Sequence, residues 1–355
     1  MNLTEIISRT QVDEVATLLG RAKKVVITCH MTPDGDALGS SLALANILAA
    51  RGYYAHVVTP DTPPRSLDFL PGVCDIVIAS RYTEKARMLL TTADLIFCLD
   101  YNAIKRIDRL GPLLEQAKAP RVMVDHHLDP EPMADVVISH PEASSTCSLL
   151  YHLIDALGWA ADISPEAATC IYTGMLTDTG NFSYNSNDPD LYLIIARLLE
   201  RGLDKDRVYT LAWNTNRPNR LRLCGYALCH KMQLILPHKM ALTILTRGEL
   251  DEYGYIKGDT EGLVNKPLSI PGIVYSAYIR QDEDNYVKVS MRSVGDFPVN
   301  LICEQLFGGG GHLNAAGGEY HGPLDEAVKK LLDALPDYDR YLPADTTTAT
   351  CNNNQ

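Results

Sequence analysis

None of the nine cysteines in this 355-residue chain forms a Cys-x-x-Cys pair, so neither a disulfide framework nor a structural zinc is indicated, and a reducing cytoplasmic setting suits the composition. No run approaches the roughly 18 to 20 apolar residues of a membrane span. Positive charge is also scarce: 44 acidic residues against 32 basic ones leave a net charge of −12. A broad basic face for gripping long duplex nucleic acid is thereby excluded. A small anionic substrate stays open, because bound cations can make one site locally positive. Gly-x-x-x-x-Gly-Lys, His-Glu-x-x-His and Gly-x-Ser-x-Gly are missing too, which argues against a P-loop ATPase, a zinc peptidase and a serine hydrolase.

What is present reads as two domains, since the length is about twice that of a typical one. The first residues, Met1 to Gly20, interleave charged and apolar positions at helical spacing, which predicts an amphipathic helix rather than a signal peptide. From Lys23 to about His140, short apolar runs alternate with helical patterns, the mark of an α/β parallel sheet with crossover helices. Strands are expected at Lys24–Cys29, Ala55–Thr59, Asp75–Ala79, Leu95–Leu99, Arg121–Val124 and Val136–Ser139. Helices are expected at Ala37–Arg51, Thr83–Thr91 and Gly111–Lys118, then at Ser145–Leu157, Pro165–Leu176 and Pro189–Arg201. The first domain is expected over 1–213, and the Arg- and Asn-rich stretch after it suits a linker helix, residues 214–232. Residues 233–344 turn strand-rich, with strands at Lys239–Thr246, Ile273–Arg280 and Tyr286–Arg292 and a helix at Pro298–Phe307, which predicts a smaller α+β domain. Residues 345–355 are Thr- and Asn-rich without periodicity and suit a disordered tail.

The first strand runs into His30-Met-Thr-Pro-Asp34-Gly-Asp36, delivering an imidazole and two carboxylates to the edge where open parallel sheets bind ligands. An Asp here is also a good helix cap. Two acids and a His in seven residues, however, repel or compete unless a cation joins them. Asp100 ends the apolar run Leu95–Leu99, and Asp125-His126-His127 ends Arg121–Val124. Asp178 follows the helix at Pro165–Leu176. Asp34, Asp36, Asp100, Asp178, His30 and His126 thus form a candidate ligand set without a thiolate. Such a set suits manganese or magnesium, with iron, cobalt or zinc as alternatives. Four acids exceed the needs of one ion. Two divalent ions about 3.5 to 4 Å apart, sharing one carboxylate, would use them all and would acidify a bridging water for phosphoryl hydrolysis.

In the second domain Gly308-Gly309-Gly310-Gly311-His312-Leu313-Asn314 can turn several backbone N–H groups onto an anion, with His312 and Asn314 adding side-chain donors. Lys288, Ser290 and Arg292 alternate with Val287, Val289 and Met291, so that Arg292 is placed to fork onto a phosphate.

Taken together, His30-x-x-x-Asp34-x-Asp36, Asp100, Asp125-His126-His127, Asp178 and the Gly308–His312 run resemble the DHH phosphoesterase superfamily with its C-terminal DHHA1 domain, over about residues 15–340. The similarity is to its bifunctional oligoribonuclease and pAp phosphatase branch. It implies His30, Asp34 and Asp100 on one divalent ion, and Asp36, Asp100, His126 and Asp178 on a second, with Asp100 as the bridge. The ions would be Mn2+, with Mg2+ or Co2+ as alternatives. It further implies that Asp125 orients a metal-bound imidazole, that His127 faces the scissile phosphate, and that Arg292, Gly309, Gly310, Gly311, His312 and Asn314 hold substrate. The active site would lie in the cleft between the domains, where a metal-bridging hydroxide attacks short oligoribonucleotides, linear dinucleotides such as pApA, or pAp. A cytoplasmic enzyme is implied, with a homodimer open. Asp100 is followed by Tyr101-Asn102, where this superfamily more often has small hydroxyl residues, so the shape beside the bridge is in question. An exopolyphosphatase or manganese pyrophosphatase would need the same centre, and a catalytically inert nucleotide sensor is the reading from a different class.

Overall fold

The computed structural model describes residues 2–214 and 216–344, so the expected tail at 345–355 lies outside the described residues. The chain divides into two compact units between residues 215 and 216.

The first unit is built on six parallel strands: β1 (Lys24–Thr28), β2 (Tyr54–Thr59), β3 (Val77–Ile78), β4 (Leu95–Leu99), β5 (Arg121–Asp125) and β6 (Val136–Ser139). Among the described residues eight α-helices accompany them: α1 (Arg9–Arg21), α2 (Gly35–Ala50), α3 (Thr83–Thr91), α4 (Gly111–Gln116), α5 (Thr146–Ala156), α6 (Pro165–Asp178), α7 (Pro189–Glu200) and α8 (Lys205–Ala212). The strands are apolar because both sheet faces are covered. Val25, Ile27 and Phe97 pack into one cluster, while their neighbours Val26, Ile96 and Cys98 pack into another. Strand order is β3-β2-β1-β4-β5-β6. The chain therefore winds outward from β1 in one direction and then returns to start again at β4. Between β1 and β4 the crossovers diverge, leaving a crevice at the carboxyl ends of the strands.

Three expected elements shift. The first helix begins at Arg9 rather than near the N-terminus, because Ser8 and Gln11 form a reciprocal capping box that sets the start. β3 shrinks to two residues, since Val73–Asp75 after the Pro71-Gly72 turn adopts a tight helical turn instead. The helix beginning at Pro165 continues through Asp178, which places that acid on the helix rather than after it. α2 lies close against α6, an approach that its small residues permit: a Cβ on Gly39 would sit 2.6 Å from the carbonyl oxygen of Cys170.

The second unit carries a mixed sheet in the order β11-β12-β10-β9-β8-β7. Its strands are β7 (Met232–Ile235), β8 (Met240–Leu245), β9 (Tyr275–Glu283), β10 (Tyr286–Ser293), β11 (Gly310–His312) and β12 (Ala315–His321). β8 and β9 run parallel and the other neighbours antiparallel. Val287, Val289 and Met291 pack with Ile302 and Phe307 of α11 (Val299–Phe307) and Leu331 of α12 (Leu324–Tyr338). On a separate cluster, Leu223 of α9 (Pro218–Tyr226) joins Leu245 and Leu250, the latter on α10 (Arg247–Glu252). The helix of the expected linker stretch is therefore packed into the second unit. Among the described residues no helix is long and apolar enough to cross a membrane.

Candidate metal centre

Four segments deliver the site. β1 is followed by His30. The turn after it passes through Thr32 in the left-handed region (φ 52°) and ends at Asp34, whose carboxylate caps α2 by accepting from the backbone N–H groups of Asp36 and Ala37, both at 3.0 Å. Capping and membership of the acidic cluster are therefore both roles of Asp34. Asp100, just past β4, also has a left-handed backbone (φ 62°). That conformation is costly for a residue with a Cβ and tends to mark functional positions. β5 ends in Asp125, with His126 and His127 next, and α6 supplies Asp178 from its last turn. An acid at a helix C-terminus opposes the macrodipole, so local helix energetics do not account for Asp178.

The side chains converge at the switch-point crevice. His30 Nε2 lies 3.3 Å from Asp100 Oδ2 and 3.7 Å from Asp34 Oδ1. His126 Nε2 lies 3.4 Å from Asp178 Oδ2, 3.7 Å from Asp100 Oδ1 and 3.9 Å from Asp36 Oδ2. His127 Nδ1 is 3.8 Å from Asp100 Oδ1. Among the described residues three sets could each hold a cation: His30, Asp34 and Asp100; Asp36, His126 and Asp178; and Asp100, His126 and His127. Asp100 presents Oδ2 toward His30 and Oδ1 toward His126.

The imidazoles are oriented as metal ligands are. His30 Nδ1 lies 2.7 Å from the carbonyl oxygen of Met31, and His126 Nδ1 lies 3.2 Å from that of Ala143. A carbonyl only accepts, so each Nδ1 donates and each Nε2 is left to the acids or to a cation. Asp125 was expected behind a metal-bound imidazole; the imidazole it holds is His127, through Oδ1 to Nδ1 at 2.7 Å. Tyr101 turns away from the acids, its buried hydroxyl 2.7 Å from Thr28 Oγ1, so the bulky residue after Asp100 fills core.

The electrostatics ask for positive charge. Asp36 and Asp100 are almost fully buried. Burial, then repulsion from Asp100 and Asp178, pushes the Asp36 carboxyl well above its ordinary range. Asp178 is raised to about 7 by burial and by Asp100 and Asp34, against the pull of His126. Burial opposes the charged form of His30, yet Asp100 and Asp34 raise it to about 10. For His126, Asp36, Asp178 and Asp100 outweigh burial and raise it to about 9. Crowded acids pushed toward their protonated forms are groups a divalent cation would relieve. The oxygen and nitrogen donors fit manganese or magnesium.

Thr146, which the motifs do not single out, completes the cluster: its Oγ1 donates to Asp100 Oδ1 at 2.9 Å and its backbone N–H to Asp36 Oδ2 at 2.6 Å. Its only sequence signal is the Ser144-Ser145-Thr146 run ahead of a helix, which reads as ordinary capping.

In the second unit the glycine run is partly strand. Gly310–His312 forms the edge strand β11 against β12, and a Cβ on Gly309 would fall 1.9 Å from the Gly317 carbonyl oxygen. Close backbone approach thus requires glycine at Gly309 whatever binds there. Asn314, expected to donate to an anion, instead donates its side-chain amide to Ser293 Oγ (2.9 Å) and the Gly295 carbonyl (2.8 Å), so both of its donors are taken within the loop. His312 is exposed and Arg292 half-buried. A concavity of about 700 Å³ on this unit is walled by Gly309, Gly317, Lys288, Ser290 and Tyr320; Arg292, His312 and Asn314 are not among its walls.

The DHH family N-terminal domain matches residues 24–175, and the DHHA1 domain matches residues 240–338. The bifunctional oligoribonuclease and PAP phosphatase NrnA of Thermus thermophilus is 33% identical over 319 residues, covering 88% of this chain and 89% of that protein. The chain belongs to the DHH family. Among solved structures, this DHH protein is similar to an exopolyphosphatase-related protein from Bacteroides fragilis, with a TM-score of 0.92 and 45% identity, over 96% of this chain and 99% of that one. RecJ of Thermus thermophilus, solved with Mn2+, is similar in fold at a TM-score of 0.51 and 17% identity, over 95% of this chain and 56% of RecJ.

Proposed function

We propose that this DHH phosphoesterase hydrolyses short oligoribonucleotides, linear dinucleotides such as pApA, or pAp, at a centre of two divalent ions, manganese first among them. The observation that carries the reading is Asp100, whose two carboxylate oxygens face different ligand groups. On this reading His30, Asp34 and Asp100 hold one ion, and Asp36, Asp100, His126 and Asp178 the other. Bound there, such a pair would acidify a water and neutralise charge on phosphoryl oxygens. His127, fixed by Asp125 through Nδ1, turns Nε2 toward the site; it would donate to a substrate oxygen as the imidazolium, a form that the Asp125 carboxylate favours. In the second unit Arg292, His312 and the N–H groups of Gly310 and Gly311 are proposed contacts for a terminal phosphate; the Gly309 N–H donates to the Cys303 carbonyl at 3.1 Å and Asn314 spends its amide on Ser293 and Gly295, so those two residues would shape the loop rather than touch phosphate. The Thermus thermophilus relative, described as acting on oligoribonucleotides and PAP, supports this substrate class.

A second reading, exopolyphosphate hydrolysis, is favoured by the description of the Bacteroides fragilis protein. Rates on pAp, pApA, cyclic-di-AMP, longer RNA, pyrophosphate and polyphosphate, each with added manganese and with chelator, separate the two. Chelator-sensitive turnover of pAp and pApA that exceeds turnover of longer RNA supports the nucleotide reading. Turnover of polyphosphate or pyrophosphate with inertness toward pApA supports the second, and binding of pAp without any turnover supports a sensor.

A further inference from the structure

α5 begins beneath the acidic cluster. Ser145 caps it, its Oγ accepting from the Ser148 N–H at 3.0 Å, so the first backbone N–H groups of the helix lack partners within it and point outward from its end. Two of them go to one carboxylate: Thr146 N–H to Asp36 Oδ2 at 2.6 Å and Cys147 N–H to Asp36 Oδ1 at 2.9 Å. The Thr146 hydroxyl goes to a second carboxylate, Asp100 Oδ1, at 2.9 Å. Thr146 is fully buried, and Asp36 and Asp100 nearly so. One residue therefore touches both inner acids of the cluster.

We propose that Thr146 is a positioning residue, whose hydroxyl fixes which oxygen of Asp100 faces which group of ligands. The inference rests on the two-ion reading above. Asp100 Oδ1 is the oxygen near His126 and His127, and Oδ2 the one near His30. Each carboxylate oxygen has two acceptor directions, so the hydroxyl occupies one on Oδ1 and leaves the other for a cation. Without that donor the Asp100 carboxylate is free to rotate about its Cβ–Cγ bond, and the ligand set containing His126 loses a fixed member. Groups that orient a metal ligand in this way typically contribute about 10- to 100-fold to affinity.

The test uses the full chain, stripped of metal and titrated with Mn2+ by calorimetry and by electron paramagnetic resonance, for wild type, Thr146→Val and Thr146→Ser. Valine keeps the shape and removes the donor, while serine keeps the donor. The expected result is about a tenfold weaker dissociation constant for one of two ions in Thr146→Val, with the other within about threefold. The spin-coupled signal is delayed to higher manganese, and Thr146→Ser restores both readouts. Should Thr146→Val not fold, Thr146→Ala against Thr146→Ser carries the same comparison without added bulk. Wild-type affinities in the hydroxyl-free variant overturn the proposal, as does failure of Thr146→Ser to restore binding. A wild-type chain that binds fewer than two ions overturns instead the reading beneath it.

Discussion

Asp125 grips His127 at two points: Oδ2 accepts the backbone N–H at 3.0 Å and Oδ1 faces the ring Nδ1 at 2.7 Å. The acid is fully buried, so it is spent on this one neighbour. Ring orientation and tautomer of His127 are thereby set, with Nε2 as the nitrogen available to a substrate.

Replacing Asp125 with Asn preserves volume while removing the charge that favours a proton on Nδ1. Turnover of the nucleotide substrate should fall about 10- to 100-fold, with KM moving less than kcat. Steady-state kinetics beside a circular dichroism spectrum checks this, and an unchanged kcat would remove His127 from its proposed role.

Cation binding should release protons. His30 at about 10 and His126 at about 9 are protonated in the metal-free site at pH 7, and Asp178 at about 7 is half so. Ligands must shed those protons to bind a metal. The metal-free form holds more protons than the bound form, so Mn2+ affinity rises with pH, most steeply below about pH 7, where all three groups are protonated, and progressively less through about pH 9 and 10. Calorimetry in buffers of different ionisation enthalpy measures the protons released; buffer-independent heats at pH 7 would contradict the assignment.

Gly174 on α6 has no room for a side chain: a Cβ there would lie 2.3 Å from Cys147 Sγ and 2.7 Å from Asp36 Oδ1. Gly174→Ala should destabilise the chain by about 1 to 3 kcal/mol through overpacking and weaken Mn2+ binding through displacement of Asp36. Gly20 near the end of α1 meets nothing within 4 Å, so Gly20→Ala should be neutral or stabilising by up to about 1 kcal/mol. Urea unfolding of both variants tests the contrast, and equal effects would refute it.

Much of the first unit could be read from its residues because both faces of the parallel sheet are buried. Leu95–Leu99 is then an uninterrupted apolar run, and the acid that stops it, Asp100, stands out. His30 and the Asp125-His126-His127 triplet are visible for the same reason, and the strand order carries their loops to one edge. Asp178 was harder to place, since an acid that ends an apolar helical pattern looks like a cap until the helix is seen to include it. Thr146 was hidden by a capping sequence that is common at helix starts. β12 is not legible in the sequence because Ala315-Ala316-Gly317-Gly318 has neither alternation nor β-branching; it becomes a strand through pairing with β10 and β11.

The most direct measurement is the manganese stoichiometry of the metal-stripped chain, wild type beside Asp100→Asn. Asparagine tolerates the left-handed backbone that Asp100 adopts, so the substitution isolates the loss of a bridging charge. Two spin-coupled ions per wild-type chain are predicted, with no more than one in the variant and its phosphoesterase turnover reduced to background. Two ions bound by Asp100→Asn with wild-type affinity would contradict the shared carboxylate, and with it the two-ion centre.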